Sequence, residues 1–126
     1  MFVRSKATAP RRARGGLVSH VFLEKGDGSG SNLAVTWVDV EPRGRQDPHR
    51  HDPEQAYVIV RGSGTMRVGD EERTVREGDV VFVPPGVVHG ITNDADAPLS
   101  YVSASTPTFG ITALYDALEG SRATGG

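Results

Sequence analysis

Two of the four histidines in this sequence, His49 and His51, stand one residue apart. Neutral imidazole is a common ligand for transition metals, and two rings on one side of the chain begin such a site. Alternate side chains share a face only on extended backbone, so the pair implies a strand or strand-like segment. Gln55 lies four positions after His51, and the strand-like run Tyr57–Val60 leads on to Gly62. By the same alternation Gln55, Tyr57 and Ile59 share a face, which puts Tyr57 near whatever the histidines hold. The competing account of H-x-H alone is a polar loop, rich in Arg and Pro, whose histidines face water.

A second block supplies a third imidazole. GDVVFVPPGVVHGITN, residues 78–93, opens on a Gly-Asp turn, runs as an apolar strand and breaks at Pro84-Pro85-Gly86. It then resumes as a strand carrying His89. A ring placed just after a rigid turn is held by stiff backbone.

The two blocks together resemble the cupin family. Its first motif is G, five residues, H-x-H, three or four residues, E, six residues, G. Here His51, three residues, Gln55, six residues and Gly62 fit it, with Gln55 in the usual Glu position and Gly44 one residue too close to His49. The second motif matches without a gap at Gly78, Pro84, Gly86, His89 and Asn93, and fifteen residues separate the motifs, as in small single-domain members. The resemblance covers roughly residues 33–105. It implies an all-β fold, a double-stranded β-helix (jelly-roll) barrel, and a site in which His49, His51, Gln55 and His89 hold one divalent transition metal. Zinc, nickel, manganese and iron(II) all suit those ligands, and an amide oxygen is a competent ligand for a hard divalent ion. A cupin that has lost its metal is the alternative.

Replacing Glu by Gln leaves a neutral ligand set. The ion is held less tightly and acts as a stronger Lewis acid. No carboxylate completes the two-His, one-carboxylate triad of many non-haem iron oxygenases. Cupins with Gln here resemble polyketide cyclases and ring-opening enzymes of uronate sugars, both non-redox. Tyr57 and Tyr101 are the candidates for proton transfer, with His20 weaker and Arg61 expected in solvent; packing is the competing role for each tyrosine.

The positioning elements follow from pattern. A basic arm is expected over residues 1–16, with a short strand around Phe2–Arg4. The barrel is expected over residues 17–110, starting at Leu17–Leu23. LAVTWVDVE (Leu33–Glu41) is a strand with both faces mostly apolar, and further strands fall at Thr65–Val68, Glu71–Arg76, Val80–Val83 (expected buried), Val87–Thr92 and Leu99–Ser105. Apolar residues at 111, 114, 115 and 118 have helical spacing, giving a short C-terminal helix within residues 111–126.

Composition limits the remaining choices. At 126 residues the chain forms one domain, and its 16 Gly and 8 Pro suit an all-β fold with many turns. With no cysteine there are no disulfides or thiolate ligands. No apolar run approaches the ~18 residues that span a membrane, and Arg11-Arg12 precedes no apolar stretch. We therefore expect no membrane association and a cytoplasmic protein. The net charge of −2 is uneven: residues 1–14 carry five basic side chains and no acid, leaving a net of −7 elsewhere. Few aromatics interleave with the basic residues, so no nucleic-acid partner is expected; the arm instead frays or crosses an acidic neighbouring subunit. The three glycines of KGDGSGSN are not followed by Lys-Ser/Thr and a helix, which rules out a phosphate loop.

Three functions remain in competition. The first is a small metal-dependent enzyme using its ion as a Lewis acid on a small oxygenated substrate, in cyclisation, isomerisation, ring-opening or lyase chemistry. The second is a metal-dependent dioxygenase. The third is a non-catalytic barrel that binds or senses a small ligand. A homodimer is expected, because a strand apolar on both faces otherwise invites aggregation.

Overall fold

Alternating side chains and glycine turns divide residues 1–107 into nine strands. A computed structural model describes residues 1–107 and, within them, β1 (Arg11–Arg14), β2 (Leu17–Leu23), β3 (Ala34–Val40), β4 (Glu54–Arg61), β5 (Ser63–Val68), β6 (Glu71–Arg76), β7 (Val80–Val83), β8 (His89–Thr92) and β9 (Leu99–Thr106). The helix expected at 111–118 lies outside the described residues.

All pairings are antiparallel. A six-stranded sheet runs in the order β1-β2-β3-β9-β4-β7, and a three-stranded sheet runs β6-β5-β8. Period-two alternation turns one face of each sheet inward, and the two faces share a core. Leu17, Val38, Val40, Tyr57, Ile59, Val83, Leu99 and Tyr101 come from the larger sheet, and Met66, Val75 and Ile91 from the smaller. This is an all-β jelly-roll barrel. The turn from β4 to β5 requires Gly62: its φ is +79°, and a Cβ there would collide with the Pro98 carbonyl oxygen.

Interior character changes along the strands. Register sets Val40 opposite Leu99 and Val38 opposite Tyr101, so one end of the larger sheet is apolar inside. Towards the other end Thr36 faces Ser103, Ala34 faces Ser105, and Gln55 faces Ser105 from the other side. Small and polar side chains thus line the end where β4 begins, and the histidines are at that end.

Three expectations need correction. The strand placed around Phe2–Arg4 is absent; β1 lies at Arg11–Arg14 and pairs with β2 from Arg11–His20 to Arg14–Leu17. The first residues are also tied down: the Arg4 guanidinium donates to the carbonyls of Val21 and Phe22, and Lys6 pairs with Asp39 at 3.0 Å. Second, Val80–Val83 is not buried throughout, since Val80 is 67% and Phe82 58% exposed. As an edge strand it covers the core with Val83 and leaves those two outside. Third, the outer face of β3, expected to be mostly apolar, carries Val35 and Trp37 but also Asp39, the centre of an ionic cluster.

Candidate metal centre

Backbone hydrogen bonds bring the three histidines together. The loop after β3 zips along β8: Asn93 N–H donates to Gly44 O at 2.8 Å, Gln46 N–H to Ile91 O at 2.8 Å, and His49 and His89 exchange both bonds at 2.9 and 2.8 Å. Gly90 permits this approach, since a Cβ there would lie 2.8 Å from Gln46 O and 3.3 Å from Pro48 Cα. Asn93, fully buried, clamps the loop's root: its amide donates to the carbonyls of Val40, Glu41 and Ala97, and its Oδ1 accepts from Ala95 N–H. His51 is tied to the Pro84-Pro85-Gly86 turn by Gly86 N–H donating to His51 O at 2.9 Å.

One ligating atom from each of His49, His51 and His89 lies within 4.8 Å of the others. The ring centroids are 4.3 to 5.7 Å apart. Each Nδ1 faces a backbone carbonyl: His49 that of Asp47 at 3.0 Å, His51 that of Pro53 at 3.2 Å, His89 that of Val87 at 2.9 Å. A carbonyl only accepts, so Nδ1 carries the proton and Nε2 the lone pair. All three rings are thereby set in the tautomer that ligates through Nε2.

Burial keeps two of the rings, His49 and His89, neutral. Burial pulls the pKa of His89 down to about 4; its bond to Val87 opposes this, and the nearby His49 and His51 reinforce it. Burial likewise lowers His49, against its bond to Asp47 and with His51 adding to the fall. A base that resists protonation stays available to a metal at lower pH.

Gln55, on β4, is 7% exposed and shares the inward face with Tyr57 and Ile59. Its Nε2 donates to Ser103 Oγ at 2.8 Å, while its Oε1 is fully buried with no partner among the described residues. The buried His89 Nε2 also has none. A buried acceptor left unpaired costs about 1–3 kcal/mol, and a cation accepts electron pairs from just such atoms. These donors fit a divalent transition metal: three imidazoles already in the ligating tautomer, an orphan amide oxygen on β4, and, among the described residues, no carboxylate in the group.

The tyrosines stand behind the histidines. The Tyr57 ring meets His89 edge-on at 5.8 Å, stacks on Tyr101 at 4.5 Å, and its hydroxyl donates to Gln46 Oε1 at 2.9 Å. Tyr57 therefore touches the cluster directly, and Tyr101 sits one ring further back. His20 is elsewhere, on the outer face with Nε2 3.5 Å from Asp39, and Arg61 is also at Asp39, 3.7 Å away. Gln46, Ser103 and Gly90 have roles that sequence reasoning missed. Only Ser103 left a signal, the inward parity it shares with Tyr101.

The cupin-domain family model matches residues 36–105. Over 62 residues the chain is 34% identical to an uncharacterized protein of Methanocaldococcus jannaschii, a match covering 48% of this chain and 50% of that one. The chain spans half or less of the length of the first curated relatives it matches. Among solved structures, a predicted oxalate decarboxylase from Thermotoga maritima superposes with TM-score 0.76 at 16% identity, covering 84% of this chain and 99% of that one. The polyketide cyclase RemF from Streptomyces resistomycificus gives TM-score 0.71 at 20% identity, covering 84% and 79%. At these identities the two structures speak to fold alone.

Proposed function

The chain belongs to the cupin family, and from that footing we propose that it is a small metal-dependent enzyme of non-redox type. His49, His51 and His89 would hold one divalent transition ion, zinc, nickel, manganese or iron(II), with Gln55 Oε1 as a fourth ligand. The observation that carries this reading is the donor set: three imidazoles locked in the Nε2-ligating tautomer, an unpartnered buried amide oxygen, and no carboxylate among them. Such an ion supplies Lewis-acid polarisation of a substrate oxygen, undiminished by ligand charge. Cyclisation, isomerisation, ring-opening or lyase chemistry on a small oxygenated molecule fits that role.

The chain's own residues do the rest. Tyr57 is the group for proton transfer: its hydroxyl donates to Gln46 Oε1, which orients it, and its ring edge lies against His89. Tyr101, stacked on Tyr57, keeps that ring from rotating away and excludes water from behind it. Metal analysis of protein purified without added metal, together with oxygen uptake during turnover of candidate oxygenated substrates, tests the reading. One bound ion per chain and turnover without oxygen consumption are expected. A chain that takes up no divalent metal overturns it, and stoichiometric oxygen consumption replaces it with a dioxygenase.

We further propose a homodimer, on the outer face of the larger sheet. Val58 (42% exposed), Val80 and Phe82 lie on the paired strands β4 and β7 with Val102 beside them on β9. Light scattering at micromolar concentration should give twice the 13.4 kDa chain mass, and Phe82→Asp should reduce it to the monomer; a monomeric parent chain would sink the idea.

A further inference from the structure

We propose that Ser103 is a positioning residue that decides which end of the Gln55 amide faces the metal-binding histidines. The inference rests on the assignment of Gln55 as the fourth ligand, and it goes beyond that assignment to the question of how an amide can serve there. A carboxylate offers the same atom whichever way it turns. An amide does not: its oxygen is a ligand, whereas its NH2, nearly identical in shape, offers no available lone pair and turns the positive end of the amide dipole towards a cation. The wrong orientation has an attraction of its own, because imidazoles with lone pairs on Nε2 would accept hydrogen bonds from the NH2 when no metal is bound. A Gln in this position therefore needs a partner that claims its nitrogen.

Ser103 is that partner. Gln55 Nε2 donates to Ser103 Oγ at 2.8 Å, and Gln55 Oε1, fully buried, has no partner among the described residues. The two residues are 7% and 8% exposed, so no water competes for the NH2 from bulk solvent. Ser103 cannot drift. It lies on β9, between β3 and β4 in the larger sheet, paired to Thr36 on one side and Tyr57 on the other, one diagonal step from Gln55. A hydroxyl can also donate, so the amide is held this way round only while Ser103 Oγ accepts from the nitrogen, as it does here; the oxygen is then the end left for the ion.

The full-length chain, stripped of metal and titrated with Ni2+ against a chromophoric chelator, tests this, with circular dichroism and thermal melting of each apo variant confirming the fold. Ser103→Ala should weaken Ni2+ binding about 10- to 100-fold, the usual loss for an outer-shell partner. Ser103→Thr, which keeps the hydroxyl, should bind close to the parent. Ser103→Cys, with only a weak acceptor, should behave like the alanine variant and stands in for it if that one does not fold. The decisive comparison uses Gln55→Glu: once residue 55 has two equivalent oxygens, adding Ser103→Ala should cause no loss. Parent-like Ni2+ affinity in Ser103→Ala, or an equal loss in the Gln and Glu backgrounds, overturns the inference. Gln55→Ala separates the two claims. If it leaves Ni2+ affinity unchanged, the ligand assignment falls and this inference with it. If it weakens binding while Ser103→Ala does not, only the positioning role falls.

Discussion

The molecule has two histidine-bearing clusters, one inside the barrel and one on the outer face of the larger sheet, and they are built on opposite principles. Outside, Asp39 accepts hydrogen bonds from Ser100 Oγ at 2.7 Å and Trp37 Nε1 at 2.8 Å, and lies within 3.0 to 3.7 Å of Lys6, His20 and Arg61. Its charge is answered several times over. Inside, three imidazoles crowd together with no carboxylate in their group, and burial holds His49 and His89 neutral. A cluster that answers its own charges is complete and serves stability. One that gathers lone pairs, with His89 Nε2 and Gln55 Oε1 buried and unpaired among the described residues, is suited to receive a cation. His20 and His89 are the same residue type on strands of one barrel, and only their partners tell their roles apart.

Removing a ring from the inner cluster should have the largest effect. His89→Ala should weaken divalent-metal binding by more than the ~100-fold upper range for outer-shell losses, with β-sheet content near that of the parent because Pro84-Pro85-Gly86 and the β5–β8 pairing remain. Metal stoichiometry unchanged from the parent would show that the inner cluster is not a metal centre. His20→Ala should leave metal binding alone.

Acid should separate the clusters by pH window. His89 protonates near 4 in the fold and near its ordinary 6.5 when unfolded, so between those values the unfolded chain binds more protons. Stability should therefore fall as pH drops from 6.5 towards 4 and be flat above 6.5. Asp39 behaves differently: burial pushes it up, but bonds from Ser100, Trp37 and Lys6 outweigh this and hold it near 2. Its contribution is present above the ordinary 3.8 and is lost only as pH falls towards 2. Apo-protein melting temperatures across pH 2–8 should show both windows, and His89→Ala should shrink the upper one, to which His49 also contributes, and leave the lower one in place.

Much of this contrast was legible in the sequence, and the missing part has a physical reason. Alternation located Leu17–Leu23, Glu71–Arg76 and Val80–Val83 as strands, because period-two burial leaves its mark on residue types. H-x-H, the Pro-Pro-Gly turn and His89 pointed to the inner cluster because ligand chemistry restricts residue type. Asp39 gave no such sign: on a strand, one carboxylate looks like any solvated charge until cross-strand register sets Ser100 opposite it. Gln46 was hidden because a loop residue has no periodicity from which to infer its direction. Arg11–Arg14 was missed because β1 pairs through its backbone, with no apolar alternation to reveal it. The exposure of Val80 and Phe82 depends on β7 being an edge, which is a property of the sheet and not of the strand.

Breaking the outer cluster at its centre should cost stability and nothing else. Asp39→Asn leaves Lys6, His20 and Arg61 without their carboxylate and weakens two charge-assisted hydrogen bonds, a loss of about 2 kcal/mol. Urea denaturation should show a lower midpoint with Ni2+ affinity unchanged. A fall in metal affinity would mean that the two clusters are coupled, and the division between them would not stand.

The smallest effect sharpens the comparison most, because it asks how much of the outer cluster is fastening and how much is charge. Lys6 reaches Asp39 at 3.0 Å and lies 4.9 Å over the Trp37 ring, with its side chain 44% exposed. An exposed ion pair contributes about 0.2–1 kcal/mol and an exposed cation–π contact about 0.5–1 kcal/mol, so Lys6→Ala should destabilise by about 1 kcal/mol. That amounts to a few degrees in melting temperature for a chain of this size. Salt provides the discriminating measurement. The ionic part is screened beyond about 10 Å at 0.1 M, and less so at contact, so the difference between parent and variant should shrink but persist as sodium chloride rises. Trp37 fluorescence should shift when the ammonium leaves its ring face, at every salt concentration. A difference that vanishes at high salt would reduce Lys6 to a surface charge; one indifferent to salt would make the Trp37 contact the true anchor of the N-terminal segment.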